Sequence, residues 1–151
     1  MAIITQVTGS RTSLTTTAMN SLANGAYVSC GTINHGTNNP LDVLIEVSAT
    51  PGTVSGNKQL LVFAKGSLDG TNFESGPESG TTTTDEPNLT FIGTVPLGTN
   101  ATAQTGMFNL ASAFGGVLPK QTKIIVKNDS GAALAASGHA VYYSEITGNS
   151  A

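Results

Sequence analysis

Residues 58–73 read KQLLVFAKGSLDGTNF and join the strongest apolar run of the chain to its most explicit turn. Leu60, Leu61, Val62, Phe63 and Ala64, with the stem of Lys65, offer apolar surface to both sides of an extended strand. A strand buried on both faces lies inside a sheet rather than at its edge. The run stops at Gly66-Ser67-Leu68-Asp69-Gly70-Thr71-Asn72, where the Asp-Gly pair supplies the positive-φ positions of a tight reversal. The stretch is therefore sheet interior followed by surface loop, and it carries no chemistry of its own.

Upstream, residues 41–49 alternate, with Leu41, Val43, Ile45, Val47 and Ala49 on one face and Asp42, Glu46 and Ser48 on the other. The period of two predicts a half-buried strand, and Pro51-Gly52 opens a loop to Asn57, so this strand is expected to form an antiparallel hairpin with 58–65. Residues 26–33 set Tyr27, Ser29, Gly31 and Ile33 against Ala26, Val28, Cys30 and Thr32, a strand without a clean polar face. Downstream, residues 72–88 (NFESGPESGTTTTDEPN) hold four of the nine acids and read as a long exposed loop. Residues 89–95 predict a strand with Leu89, Phe91, Gly93 and Val95 inward and Thr90, Ile92 and Thr94 outward. Residues 103–114 read as a strand through Met107 and Phe108 ending in one helical turn over 110–114. In 121–128, Thr122, Ile124, Val126 and Asn128 face opposite Lys123, Ile125 and Lys127, and GHAVYYSEI at 138–146 is the last strand.

Residues 1–24 are rich in Thr, Ser and Ala with thin apolar content. They are expected to form an extended N-terminal arm that orders against a neighbour, with an edge strand somewhere in 11–17. The reading is all-β: an antiparallel two-sheet sandwich, jelly-roll-like, of seven or eight strands, with the arm over 1–24 and a single domain over 25–151. No repeat of fixed period is present, which disfavours propellers and solenoids.

Composition agrees. The 151 residues include 22 Thr, 14 Ser, 12 Asn and 18 Gly, a set that favours strands and turns over helices. Charged residues are 10% of the chain, against a usual share of about 25%. The net charge of −3 and the absence of a basic patch with interleaved aromatics argue against nucleic acid. The single cysteine, Cys30, excludes an intramolecular disulfide and reads as a small buried group. No apolar stretch approaches the roughly 18 residues of a membrane span. The start, MAIITQVTGSR, lacks a basic segment before an apolar one, so a soluble chain made without a leader is expected.

Reactive side chains are few. His35 and His139 could pair with Cys30 or a serine as base and nucleophile, but no G-x-S-x-G elbow accompanies them. Two isolated histidines do not supply metal-ligand spacing. Asp69-Gly70-Thr71-Asn72 lacks the alternating acids and closing glutamate of a calcium loop, so the turn reading wins. Glu74, Glu78, Asp85 and Glu86 read as solvated surface. Tyr27, Tyr142 and Tyr143 could stack on a sugar, although adjacent Tyr142 and Tyr143 point to opposite faces, which places one in the core. No catalytic, cofactor-binding or metal residue is assigned, no cofactor is expected, and the chain is read as a non-enzyme. Leu44, Ile92 and Ile125, apolar on faces assigned outward, are expected to mark an oligomer interface.

The strand and turn Leu61-Val62-Phe63-Ala64-Lys65-Gly66-Ser67-Leu68-Asp69-Gly70-Thr71-Asn72-Phe73 resembles the strand plus S-x-D-G-T-x-F/Y turn of small all-β virion proteins of tailed bacteriophages. Ile124-Ile125-Val126-Lys127-Asn128-Asp129-Ser130-Gly131, followed by Gly138-His139-Ala140-Val141, is similar to their closing pair of strands. The resemblance covers about a third of the chain and implies a capsid decoration, or cement, protein with a jelly-roll-like fold. It implies a homotrimer on the outer surface of the virion that binds and stabilises the major capsid protein, made in the host cytoplasm, with the arm and loops making the contacts. It also implies that loss of residues 1–20 weakens attachment and leaves the fold intact. The alternative reading is a tail-associated or receptor-binding β module that recognises a cell-surface glycan through Tyr27, Tyr142 or Tyr143.

Overall fold

The alternating patterns fold as ten strands in a computed structural model that describes residues 4–150. They are β1 (Ile4–Thr8), β2 (Thr12–Thr15), β3 (Tyr27–Asn34), β4 (Asp42–Ala49), β5 (Gln59–Ser67), β6 (Ser79–Gly80), β7 (Thr90–Pro96), β8 (Gln104–Asn109), β9 (Gln121–Asp129) and β10 (Ala140–Ser150). One helical turn, α1 (Leu110–Ala113), follows β8, capped by the Asn109 side chain accepting from the Ser112 N–H. The count exceeds the seven or eight expected because β1 and β2 form within the N-terminal segment and two-residue β6 within the 72–88 loop.

The strands make two antiparallel five-stranded sheets, which is a β-sandwich. Sheet A runs β1, β10, β4, β8, with β2 continuing along the same edge of β10 as β1; sheet B runs β6, β3, β9, β5, β7. β5 is an inner strand, as its two-sided apolar pattern predicts, held by β9 over nine residue pairs and by β7 on its other side. The expected β4–β5 hairpin does not form. β4 pairs with β10 and β8 in sheet A, and the connection at 50–58 crosses to sheet B, with Pro51 bridging to Leu134 on the way. The physical reason lies in the two patterns: β4 has one apolar face and suits a sheet open to solvent on its other side, whereas β5 has two and needs cover on both.

Between the sheets, Val43, Ile45, Val47 and Ala49 of β4 meet Leu60, Val62 and Ala64 of β5 and Ile124 and Val126 of β9, all fully buried. Each such aliphatic side chain contributes about 1.5–3 kcal/mol by leaving water. Leu41, expected in this row, stands outside β4 and is half exposed. In β7 the ladder passes from Val62–Gly93 directly to Phe63–Phe91, leaving Ile92 as a bulge. The bulge reverses the face of everything before it. Val95 is inward as expected, but Phe91 and Leu89 point to the outer face of sheet B, and Ile92 packs against the inter-sheet core. A second bulge leaves Cys30 unpaired next to Gly31, whose φ of 126° suits glycine alone. Leu14 lies 3.0 Å from where a Cβ on Gly31 would stand, so β2 presses directly on β3 there.

The N-terminal segment, expected to order against a neighbour, is paired along its own C-terminal strand. β1 and β2 both lie on β10, Leu14, Ala18 and Leu22 pack on the core, and Met19 is completely buried in it. The buried Asn128 amide donates to the carbonyls of Leu22 and Ala132, 2.8 Å each, and fixes the end of this segment to β9. Loss of residues 1–20 would therefore take away a core side chain, Met19, and is expected to cost stability as well as any contact the segment makes. Met19→Ala is expected to lower the unfolding free energy by about 2–5 kcal/mol, measured by urea titration; a change within about 0.5 kcal/mol, the usual range for surface positions, would place Met19 outside the folding unit.

Candidate functional site

The two outer faces of the sandwich are built differently. On sheet B, Tyr27, Phe63, Leu89 and Ile125 form a second buried apolar cluster, flanked by Leu61, with the Phe63 and Phe91 rings edge-on at 5.6 Å. The 72–88 loop covers it and is held there by its acids. Glu78 bridges Lys65 at 2.7 Å and Lys123 at 2.8 Å, and Glu86 takes Lys127 and the Tyr27 hydroxyl. The Glu74 carboxylate accepts the Gly66 N–H at 2.7 Å, and the Gly76 carbonyl accepts from the Lys65 ammonium at 3.2 Å. The Lys123 and Lys127 ammoniums sit 4.6 and 5.0 Å above the Phe73 and Tyr27 rings. Burial raises the pKa of Glu78, but the hydrogen bonds from Lys123 and Lys65 outweigh it and leave the group below the ordinary value. The same opposition, with Lys127 and Tyr27 as donors, lowers Glu86. Glu74, Glu78 and Glu86, read from sequence as solvated, thus clamp the loop to the sheet, and Ile125, read as an interface residue, is fully buried beneath it.

Sheet A has no such cover. Its outer face carries Tyr142 and Ser144 of β10, Leu44 and Glu46 of β4, and Met107 of β8, since Tyr142 pairs with Glu46 and Glu46 with Met107. The Arg11 guanidinium lies 3.3 Å from the centre of the Tyr142 ring and is ion-paired to Glu46. Beside them is a shallow groove of about 210 Å³, and Met107 is 63% exposed at its rim.

A second open region lies at one end of the sandwich. The turn after β5 and the segment 114–119 enclose a groove of about 610 Å³ floored by Gly66, with Phe73, Phe114 and Pro119 in its walls. Leu68 and Val117, 87% and 75% exposed, stand over it. Asp69 organises the turn: its carboxylate accepts the N–H groups of Thr71 and Asn72 at 2.7 Å, the Asn72 amide at 2.6 Å and the Ser67 hydroxyl at 3.1 Å. These donors, the Asn72 backbone first, hold Asp69 well below the usual carboxylate range. The side chain is thus an Asx-turn acceptor, and no group of three potential metal ligands occurs among the described residues.

The reactive side chains singled out from sequence are not brought together. Cys30 is buried, and desolvation pushes its thiol up to about 12. His139 accepts the Thr50 N–H at Nδ1 and meets the Ala135 carbonyl at 2.8 Å through Nε2, which makes it a structural tie. His35 pairs through Nε2 with the Thr122 hydroxyl at 3.0 Å, and its buried Nδ1 has no protein partner. The two histidines flank opposite ends of the β4–β10 ladder, roughly 20 Å apart at about 3.4 Å per residue. Of the tyrosines, Tyr27 is buried under the loop, Tyr143 packs on the core as the opposed-face argument predicts, and Tyr142 has one ring face occupied by Arg11. Of the apolar residues expected to be exposed, Leu44 alone lies on an open face, half-buried. Leu68, Val117, Ile4 and Met107 are the most exposed large apolar side chains among the described residues. Their sequence neighbourhoods gave no warning, because exposure depends on what lies opposite. The lysine clamp did leave a trace: an apolar Ile125 between Lys123 and Lys127 on one strand face requires cover, and acids nearby in sequence can supply it.

No protein-family model matches this chain, and none of the curated proteins matches it. No helix among the described residues is long and apolar enough to cross a membrane.

Two outcomes are expected. Glu78→Gln leaves the buried Lys65 ammonium without its counter-ion and lowers stability by about 1–3 kcal/mol, less than a fully buried pair would because Glu78 is one-third exposed. Since the folded pKa of Glu78 lies below the unfolded one, its contribution is complete above about pH 4.5 and disappears below it, so wild type and variant converge in acid denaturation curves. For His35, burial lowers the folded pKa below 6.5, with Glu145 opposing. The neutral ring therefore stabilises fully above about pH 6.5, and stability falls as the pH drops below it. His35→Gln is expected to flatten the slope of the urea midpoint between about pH 7 and 5; an unchanged slope assigns the acid sensitivity elsewhere.

Proposed function

We propose that this chain is a non-enzymatic structural protein of a bacteriophage virion, a decoration protein that attaches to the outer surface of the capsid as a trimer and binds the major capsid protein. The observation that carries the reading is the asymmetry of the two sheets. The outer face of sheet B is largely covered by the chain's own loop, which leaves Phe91 of the edge strand half exposed, whereas that of sheet A carries no loop and presents Met107, Leu44 and a stacked Arg11–Tyr142 pair. Met, Arg and Tyr are the side chains enriched at protein–protein interfaces, and the one acid among them, Glu46, is neutralised by Arg11. A rigid two-sheet scaffold with one prepared face suits a partner that is itself a large ordered surface. The resemblance of 61–73, 124–131 and 138–141 to decoration proteins of tailed phages supplies the kind of surface.

The test is co-sedimentation of the purified chain with capsid shells of the phage whose genome encodes it. Saturable binding is expected, with Met107→Asp reducing affinity at least tenfold while thermal melting stays unchanged. Absence of saturable binding by the wild-type chain removes the capsid reading, and full binding by the variant moves the contact off sheet A.

A further inference from the structure

We propose that β1 and the C-terminal end of β10 form an assembly element whose two open edges are filled by further copies of this chain, β1 of one copy lying against β10 of the next. β1 pairs with residues 146–150 of β10, of which β4 reaches only Ile146, so from residue 147 on the two strands form a ribbon projecting from sheet A. All five residues of β1 are exposed, with Ile4 at 71% and Val7 at 41%. A two-stranded ribbon with no third strand and no packed layer is marginal in water.

The direction of its unpaired backbone groups follows from two bonds. The Leu41 N–H donates to the Ile146 carbonyl from the β4 side at 2.7 Å, and the Gly9 N–H donates to the Glu145 carbonyl from the β1 side at 2.8 Å. Alternate residues of an antiparallel strand direct N–H and C=O to the same side. Gly148 therefore points both groups to the β4 side, where the chain before β4 has turned away at Asn39, φ 46°, and Pro40 has no N–H to offer. Thr147 and Asn149 point to Val7 and Thr5, so Gln6 and Thr8 aim their backbone groups at the outer edge of β1. One molecule thus carries two unfilled ladder edges, and each can accept the other.

The remaining edges are blunted. β7 carries the Ile92 bulge and Pro96, β6 has two residues, β2 lies beside a bulge, and β8 lies next to β7. Residues 4–8, ITQVT, have no charge, proline or bulge, the usual protections of a solvent edge. An uncharged strand also meets its copies without like-charge repulsion. Pairing of β1 with β1 about a twofold would leave Gly148 unfilled, whereas head-to-tail pairing uses both edges and closes into a ring without any. At three copies, a number that rests on the trimer reading above, the ring is a barrel of six antiparallel strands.

Gln6→Pro tests this selectively, because the amide it removes faces the open edge and not β10. The wild-type chain is expected to sediment as a closed oligomer at tens of micromolar, and Gln6→Pro to weaken association at least tenfold with far-UV circular dichroism and melting retained. Hydrogen exchange of the unmodified chain reads the same bonds without substitution: the amides of Gln6, Thr8 and Gly148 should slow as concentration rises. A monomeric wild type, or an oligomer in which those amides exchange freely and Gln6→Pro changes nothing, overturns the proposal. Oligomers with the expected protection that fail to bind capsid shells remove the capsid reading and leave this one standing.

Discussion

Sheet B is apolar on both sides, and the rest of the structure answers to that. β5 and β9, paired over nine residues, send Leu60, Val62, Ile124 and Val126 toward sheet A and Phe63 and Ile125 the other way. A sheet of this kind needs two covers. Sheet A is one. The other has to come from the connection between β5 and β7, because that segment leaves and re-enters sheet B on adjacent strands. A loop of Gly, Ser, Thr and Pro has little apolar surface of its own with which to stay down, so it is fixed by charge: Glu78 to Lys65 and Lys123, Glu86 to Lys127 and Tyr27. Lys65 must be paired because its strand passes under the loop, and a buried ammonium without a counter-ion is costly.

Sheet A inherits the opposite condition. Its β4 pattern is apolar on one face only, and that face is consumed by the core. What remains outside is Glu46, Leu44, Tyr142 and Met107, with Arg11 brought in by the N-terminal segment. The same segment lays Met19 into the core and stacks Arg11 on the open face. Docking of the segment and preparation of the open face are therefore one event.

Much of this was legible in the sequence. The inner position of β5, the buried faces of β4 and β9, the turn at Asp69, the helical turn after β8 and the buried Cys30 all follow from periodicity and local turn chemistry, which act over a few residues. What failed depends on longer range. The β4–β5 hairpin was inferred from adjacency, but sheet membership is decided by how many faces need cover. The orientation of Leu89 and Phe91 reversed because the Ile92 bulge lies between them and Val95, and nothing in LTFIGTV marks where a ladder skips a residue. The N-terminal segment looked too polar to fold on its parent, yet Leu14 and Met19 suffice once Gly31 gives Leu14 a place to press. The open face of sheet A was not legible at all, being assembled from Arg11, Leu44, Glu46, Met107 and Tyr142, which are distant in sequence.

The charges, few to begin with, are absorbed by the fold. Four of the six basic residues, Arg11, Lys65, Lys123 and Lys127, are in ion pairs with Glu46, Glu78 and Glu86. Several of the other acids serve as hydrogen-bond acceptors within the chain: Asp42 for Ala111, Asp69 for its own turn, Glu74 for Gly66, Asp129 for Asn57 and Gln59, Glu145 for Asn38. Little net field is left to steer a distant charged partner. Recognition by such a surface must come from contact: apolar side chains at Met107, Leu68 and Val117, amides and hydroxyls around them, and backbone edges that a second strand can complete. Contact recognition tolerates salt but demands shape, and shape demands rigidity. The clamp over sheet B and the burial of Met19 in the core supply that rigidity.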